Sequence, residues 1–180
     1  MPQSSVASLN LGFLTIQHDA NGYLGAYLVT NNWGRPLEFR LSTPVQPNRI
    51  QQILYGATLQ PYICADLIAR TLVEKTSTAA ECILTDCEAV LDLRPHVRVP
   101  VLWLAPAEDP VAEDLADEGA VVLPARDNQG PVMRHPRFPD DGAAVKEMIE
   151  QLQGLELAEP FARIREALGE ARKLGVTNRG

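Results

Sequence analysis

The sequence predicts an α/β fold: a three-strand antiparallel meander, continued by shorter parallel strands with helices packed on the sheet, and further amphipathic helices at the C-terminus. Residues 37–42 alternate apolar and polar side chains, which is typical of a strand with one solvent-facing side. Short apolar runs then alternate with helical patterns, which favours a partly parallel sheet. Residues 141–175 repeat their apolar positions at intervals of three and four, which predicts amphipathic helices.

The predicted meander occupies the first part of this fold. Residues 9–17 are rich in β-formers, and residues 18–22 (HDANG) form a turn, because Asp and Asn bond to nearby backbone and Gly accepts positive φ. Residues 23–30 are almost entirely apolar, which indicates a strand covered on both faces. Residues 31–35 form a second turn before the alternating strand. Two short turns between three strands predict antiparallel pairing.

Helices and buried strands follow the meander. Asn48 is a candidate N-cap for a helix that Gly56 ends. A longer helix is expected over residues 58–75, since its apolar positions crowd one side. Short apolar runs of the buried-strand type lie at 82–85, 97–104 and 120–123.

The chain divides by character into four segments. A polar tail covers residues 1–8, and the α/β core domain covers residues 9–123. Residues 124–140 form a loop rich in proline and arginine, and a loop this long is usually functional or disordered. Residues 141–175 form a helical segment that we expect to pack on the core or on a partner.

Composition excludes several classes of protein. The net charge of −7 argues against broad nucleic-acid binding, which depends on basic residues neutralising phosphates, and leaves only a local arginine patch for such contact. The 3 cysteines are too few, and odd in number, for a disulfide framework, which predicts a reducing compartment. Residues 1–8 lack the pattern of a signal peptide, and no apolar run is long enough to span a bilayer. We therefore expect a cytoplasmic location.

Two acidic residues follow predicted strands. Residues 83–87 (ILTDC) place Asp86 at the end of a buried strand, and residues 18–22 place Asp19 near the end of the first strand. Together with the order of elements over residues 9–123, these stretches resemble the ribonuclease H-like fold. In active members of that family, carboxylates hold two Mg²⁺ ions that clamp the attacking and leaving oxygens of a phosphodiester.

The resemblance implies a metal-dependent phosphodiester hydrolase that uses Asp19, Asp86 and Mg²⁺ or Mn²⁺. The family places a further acid, a Glu, on its first helix. Residues 48–73 contain no Glu, and Asp66, their one acid, lies late in the helix. This departure favours a protein that has the fold but lacks the catalytic activity of the family. The leading interpretation therefore assigns no catalytic residue, cofactor or metal.

Two further clusters contain side chains of the types that bind an anion or a zinc ion. Arg134, His135 and Arg137 form a candidate anion-binding cluster, because arginine forks suit phosphate, although they can equally pair with the acids of this chain. The cysteines Cys64, Cys82 and Cys87, with His96, are of zinc-ligand type, but Cys82 and Cys87 would lie on opposite faces of one strand. A cysteine nucleophile would need a histidine within hydrogen-bond reach. Buried core is the expected role of these cysteines.

Two surfaces are candidates for partner binding. Trp33 and Arg35 lie at a hairpin tip with a common interface composition, although Trp33 can also fold back over the sheet. The last helix presents Phe161, Ile164 and Leu168 either to its own sheet or to a partner or second copy. The leading hypothesis is therefore a non-catalytic interaction or adaptor subunit of a larger, bacterial-type assembly.

Overall fold

In the computed structural model, which describes residues 8–107, 121–123, 129–152 and 154–175, one sheet runs through the molecule. Its 7 strands lie in the order β3-β2-β1-β4-β5-β7-β6. The strands are β1 (Leu11–Asp19), β2 (Gly22–Thr30), β3 (Pro36–Leu41), β4 (Cys82–Thr85), β5 (Val101–Leu104), β6 (Val121–Leu123) and β7 (Val132–Arg134).

The predicted meander is confirmed. Strand β2 pairs antiparallel with β1 from Leu11 opposite Thr30 to Asp19 opposite Gly22, and with β3 on its other side. The first turn is tighter than expected, because β1 continues to Asp19. The Asp19 side chain accepts a hydrogen bond from the Asn21 amide at 2.8 Å, and Gly22 adopts a φ of 106°. Asp19 therefore ends a strand and anchors a two-residue turn.

The second half of the sheet is only partly parallel. Strand β4 pairs parallel with β1 and with β5, as the alternation of strands and helices predicts. Strand β7 then pairs antiparallel with both β5 and β6. The assignment of residues 124–140 to one loop was wrong at residues 132–134, which form β7. A strand of 3 residues is too short to show a periodicity in sequence.

Helices follow the predicted order. Helix α1 (Arg49–Tyr55) begins at Asn48, whose Oδ1 accepts from the Gln51 amide at 2.9 Å while Gln51 Oε1 accepts from the Asn48 amide at 2.9 Å. This capping box satisfies two backbone donors. The remaining helical elements are the 3₁₀ turn Gly56–Thr58, α2 (Leu59–Pro61), the π-helical stretch Tyr62–Ala69, α3 (Arg70–Lys75), the 3₁₀ helix Glu88–His96, α4 (Asp141–Glu150) and α5 (Glu159–Lys173).

Helices cover both faces of the sheet. On one face, α4 and α5 pack on β1, β2, β4 and β5, and the rings of Phe13 and Phe161 meet edge to face at 5.5 Å. On the other face, the π-helical stretch packs Ile63 and Ile68 on the sheet. Phe161, Ile164 and Leu168 are 1%, 1% and 0% exposed. Their assignment as partner-binding residues was therefore wrong, because α5 uses this face for the core of its own domain.

Candidate functional sites

Asp86 lies at the carboxyl end of β4, where the resemblance places a metal ligand. Its Oδ2 accepts a hydrogen bond from Nη2 of Arg165 on α5. Its Oδ1 is buried and has no hydrogen-bond partner among the described residues. The carboxylate is therefore paired, through one of its two oxygens, with a guanidinium from the same chain.

Asp19 lies well away from Asp86. Leu14 is opposite Thr85, so Asp86 is level with Thr15 and Asp19 lies four residues further along β1, ~13 Å away at the strand rise. Asp19 Oδ2 forms an ion pair with Nη2 of Arg172 at 2.9 Å. Two metal ions of a hydrolase lie about 4 Å apart and need carboxylates that converge on them. The structure therefore separates the predicted metal pair.

Among the described residues, no other acid replaces Asp19 beside Asp86. Thr15 and Thr85, the nearest positions on β1 and β4, are buried polar residues. Asp66 is directed elsewhere, since its Oδ1 lies 2.8 Å from Nε2 of His96. In the described part of the chain, no group of three or more His, Cys, Asp and Glu side chains could hold a metal ion. As far as the described residues show, the polar site at the end of β4 holds one carboxylate and one arginine.

A second site brings the predicted anion-binding cluster together. Arg134, His135 and Arg137 line a cavity of about 530 Å³ between the segment around α2 and the 3₁₀ helix Glu88–His96. Gln60, Cys87 and Asp92 add polar groups to the same wall.

The groups of this cavity differ in their freedom to bind a ligand. Arg134 Nη1 donates to the carbonyls of His135 at 3.2 Å and Pro136 at 3.3 Å, so it braces the loop. His135 is 4% exposed, and its Nδ1 accepts from the Arg137 amide at 3.2 Å. Burial lowers the pKa of His135 below its usual 6.5, and the charge of Arg137 lowers it further. His135 is therefore neutral at pH 7, and the exposed Arg137 is the member of the cluster most open to solvent.

A buried ion pair lies behind this cavity. Arg94 donates from Nε and Nη2 to the two carboxylate oxygens of Asp141, at 2.6 and 2.9 Å, and stacks over the Phe138 ring at 4.2 Å. The bond to Asp141 raises the pKa of Arg94. The pair fixes the 3₁₀ helix to the start of α4. No local sequence pattern indicates this ion pair, because its two residues are 47 positions apart in the chain.

The β2–β3 hairpin tip is an exposed apolar feature of the described surface. Trp33 is 77% exposed at the β2–β3 hairpin tip, so it does not fold back over the sheet. The tip is well ordered, since Asn31 Oδ1 accepts from the amides of Trp33 and Arg35, both at 3.0 Å. Arg163 Nη1 of α5 donates to the Gly34 carbonyl at 2.9 Å and ties the tip to the domain.

Another apolar feature is α1, the helix that the sequence predicts between Asn48 and Gly56. Ile50, Ile53 and Leu54 are 67%, 64% and 76% exposed, and no residue of α1 is buried. Their spacing places the three side chains on one face of the helix. The same spacing is typical of a helix that faces the core. The sequence alone therefore does not show whether this apolar face is buried or exposed.

Comparison with known proteins gives the context of these sites. No family model matches the chain, and no curated protein matches it. A crystal structure of an endonuclease V variant from Ciona intestinalis, in complex with a 23mer DNA containing an inosine followed by a ribo-adenosine, is similar over 96% of this chain and 89% of its own. The TM-score is 0.56 and the sequence identity 12%. This chain has a ribonuclease H-like fold.

A second endonuclease V complex from the same organism, with a 24mer DNA, is similar over 80% of this chain and 78% of its own, with a TM-score of 0.45 and 10% identity. At 12% identity, the similarity to the first of these structures establishes the ribonuclease H-like fold and leaves the function to the residues of this chain. Within the described residues, no helix is long and apolar enough to cross a membrane.

Proposed function

We propose that the protein is a non-catalytic interaction or adaptor subunit of a cytoplasmic multi-protein assembly. The observation that carries this proposal is the outer face of α1, where Ile50, Ile53 and Leu54 are exposed side by side. Burial of such a side chain is worth about 1.5–3 kcal/mol, so this face is a favourable contact for an apolar surface. Arg49 is the only charged residue of α1, so burial of this face against a partner would remove little charge from water.

The ordered hairpin tip supports the same proposal. Trp33 is the most exposed aromatic side chain among the large hydrophobic residues of the described chain, and tryptophan is enriched in the energetic centres of interfaces. Its turn is held by Asn31 and Arg163, so binding would require little ordering of the backbone. The free thiols of Cys64, Cys82 and Cys87 support the cytoplasmic part of the proposal.

The site at the end of β4 supports a non-catalytic role. Asp86 is paired with Arg165 and Asp19 with Arg172, so each predicted metal ligand has a cationic partner on α5. A metal-dependent hydrolase would need these acids free and close together.

The test is partner capture directed at α1. The full chain, with a photo-crosslinking amino acid in place of Arg49, is expressed in its native host, and cross-linked partners are identified by mass spectrometry. We expect one protein at reproducible stoichiometry, and its loss in the triple variant Ile50→Ser, Ile53→Ser, Leu54→Ser. Leu174→Ser is the matched control, since Leu174 is 77% exposed on a different helix end. The proposal fails when light scattering gives a monomer and the cross-links are equal in both variants.

The alternative proposal is a metal-dependent phosphodiester hydrolase, which the fold shared with a DNA-bound endonuclease V supports. It is the weaker proposal, because Asp86 has no second carboxylate beside it among the described residues. Incubation of purified chain with single- and double-stranded DNA and RNA, in Mg²⁺ or Mn²⁺, tests it directly. Cleavage that disappears in Asp86→Asn would favour the hydrolase over the adaptor.

A further inference from the structure

Strand β3 forms one edge of the sheet, because it comes first in the strand order and has β2 on one side only. Just after its end, the Ser42 amide donates to the Gly25 carbonyl at 2.9 Å, toward β2. Backbone groups alternate in direction along a strand, so those of Arg40 also point toward β2, whereas those of Phe39 and Leu41 point outward. In the described part of the chain, no helix or loop bonds to these outward groups. Strand β3 therefore presents free backbone donors and acceptors, which are a template for pairing with another strand.

Apolar side chains alternate with polar ones along β3. Phe39 is 40% exposed, and the preceding apolar residue, Leu37, is 45% exposed. Leu41 packs, partly buried, against the core cluster beneath α4 and α5. Soluble proteins often protect such an edge with lysine or with a proline inside the strand. Pro36 lies before the regular ladder with β2, which runs from Glu38 to Leu41, so it leaves this part of the edge open to a further strand.

The polar positions of β3 carry two opposite charges. Arg40 Nη2 lies 2.9 Å from Oε1 of Glu38. Glu38 also accepts from the amides of Ser77 and Thr78, at 3.0 and 2.8 Å, which fixes its carboxylate. The Arg40 side chain is 39% exposed, and a cavity of about 520 Å³ lies beside it, lined also by residues of the π-helical stretch and α3. There is therefore room next to this charge pair for a charged side chain from an added strand.

These features make β3 complementary to a second copy of itself. In antiparallel pairing, residues whose backbone groups point outward on one strand must meet such residues on the other. When Phe39 lies opposite Phe39 of a second copy, each Glu38 lies opposite an Arg40. The two neighbouring registers would instead place Glu38 opposite Glu38 or Arg40 opposite Arg40, and like charges directly opposite are unfavourable. Charge therefore selects one register, with a two-fold axis between the two phenylalanines.

We propose that the protein forms a homodimer in which the β3 strands of two copies pair antiparallel, with Phe39 facing Phe39 across the two-fold axis. The sheet then continues from one copy into the other, and the two central residues exchange backbone hydrogen bonds. One short strand makes a small interface, so we expect a reversible dimer whose population rises with protein concentration. The inference is independent of the adaptor role and goes beyond it, because it uses β3 and leaves α1 free.

Sedimentation equilibrium of the full chain over a series of concentrations tests the proposal. Wild type should approach twice the monomer mass as the concentration rises. Phe39→Lys should raise the dimer dissociation constant by about tenfold or more, because two ammonium groups would meet at the axis. Leu54→Lys is the matched control, since Leu54 is 76% exposed on α1 and gains the same charge. Circular dichroism checks that each variant is folded.

Two further experiments test the register. Glu38→Lys and Arg40→Glu each place like charges opposite one another in their own dimers, so each should dimerise more weakly than wild type. Mixed in equal amounts, the two variants should form a heterodimer, because each copy supplies the charge that the other needs. Phe39→Cys should give a covalent dimer on mild oxidation, since Cα atoms of a hydrogen-bonded antiparallel pair lie about 5.5 Å apart, within disulfide range. Wild type and Leu54→Cys are the controls, and they should give none.

Three results would overturn the proposal. The first is a wild-type chain that stays monomeric at every concentration, including one that instead binds an extended peptide of another protein along β3. The second is a Phe39→Lys variant that dimerises as tightly as Leu54→Lys, and the third is a Phe39→Cys variant that gives no covalent dimer. The triple serine variant of α1 should dimerise like wild type, so a failure of the adaptor proposal leaves these results unchanged.

Discussion

Arg165 of α5 binds the carboxylate of Asp86, the residue that directly follows β4. The same helix binds Asp19 through Arg172, two turns further along. Arginines seven residues apart lie on one side of a helix, ~10 Å from each other, so α5 neutralises two separate acids at one edge of the sheet. The carboxylates that the resemblance assigned to metal ions therefore serve to dock the C-terminal helix.

The pair of Arg165 and Asp86 should contribute modestly to stability. Arg165 is half exposed, so a double-mutant cycle with Arg165→Gln and Asp86→Asn should give a coupling of ~0.5–1 kcal/mol. Urea denaturation of the four proteins measures it. A coupling near zero would mean that the two side chains do not interact in solution.

The buried pair of Arg94 and Asp141 should matter far more. Their side chains are 13% and 8% exposed, and removal of one partner leaves a buried charge without its counterion. We expect Arg94→Met to lower the free energy of unfolding by about 3–5 kcal/mol. Arg70→Met is the control, because Arg70 and Glu74 are exposed and such a pair contributes about 0.3–0.5 kcal/mol. Equal losses in guanidinium denaturation would contradict the prediction.

Glu38 should make stability depend on acid pH. Hydrogen bonds from the amides of Thr78 and Ser77 lower the pKa of Glu38 from its usual 4.5 to about 2. Its contribution is present above the pKa of the unfolded chain and is lost as pH falls through the folded value. The difference in Tm between wild type and Glu38→Gln should therefore be constant above about pH 5.5 and disappear near pH 2. A difference that does not change over this range would exclude the mechanism.

Gly130 should tolerate no side chain. A Cβ at this position would lie 1.7 Å from the Ala105 carbonyl oxygen, where β5 approaches β7. Gly130→Ala should cost about 3 kcal/mol in the free energy of unfolding. Gly169 lies in α5, and no described atom lies within 4 Å of a Cβ added there, so Gly169→Ala should stabilise by about 0.5–1 kcal/mol. Thermal melts that shift the two variants in the same direction would be inconsistent with this packing.

The two tryptophans should report opposite environments. Trp33 is 77% exposed, whereas Trp103 is 3% exposed. Trp33→Phe should shift the fluorescence emission to shorter wavelength and greatly reduce quenching by acrylamide, because only the buried indole remains. Strong quenching that persists in Trp33→Phe would show that the hairpin tip is not the exposed site.

The sequence was sufficient to predict the meander and the order of the central elements. Alternation in residues 37–42 and turn residues at two places are local signals, and the strands formed where those signals lie. Strand β7 had no such signal, because it has only 3 residues and pairs with β5, which lies far before it in the sequence. Short strands that depend on distant partners are determined by tertiary contacts.

The candidate sites were harder to predict from the sequence than the fold was. The residues Arg134, His135 and Arg137 do line one cavity, but the buried position of His135 depends on how the loop folds around Phe138. Asp86 and Arg165 are 79 residues apart, so no local pattern indicates their ion pair. The apolar spacing of Phe161, Ile164 and Leu168 is the same for a helix that packs on its own domain and for one that binds a partner. Only the packing seen in the structure distinguishes these alternatives.

Helix α1 is attached to the domain without being part of its core. Its capping box at Asn48 and Gln51 forms within the segment itself, and its outer side chains are exposed to solvent. Substitutions at positions 50, 53 and 54 should therefore change the outer surface of the helix at little cost to the sheet behind it. In evolution and in protein engineering, such a segment permits specificity to diverge while the scaffold stays constant.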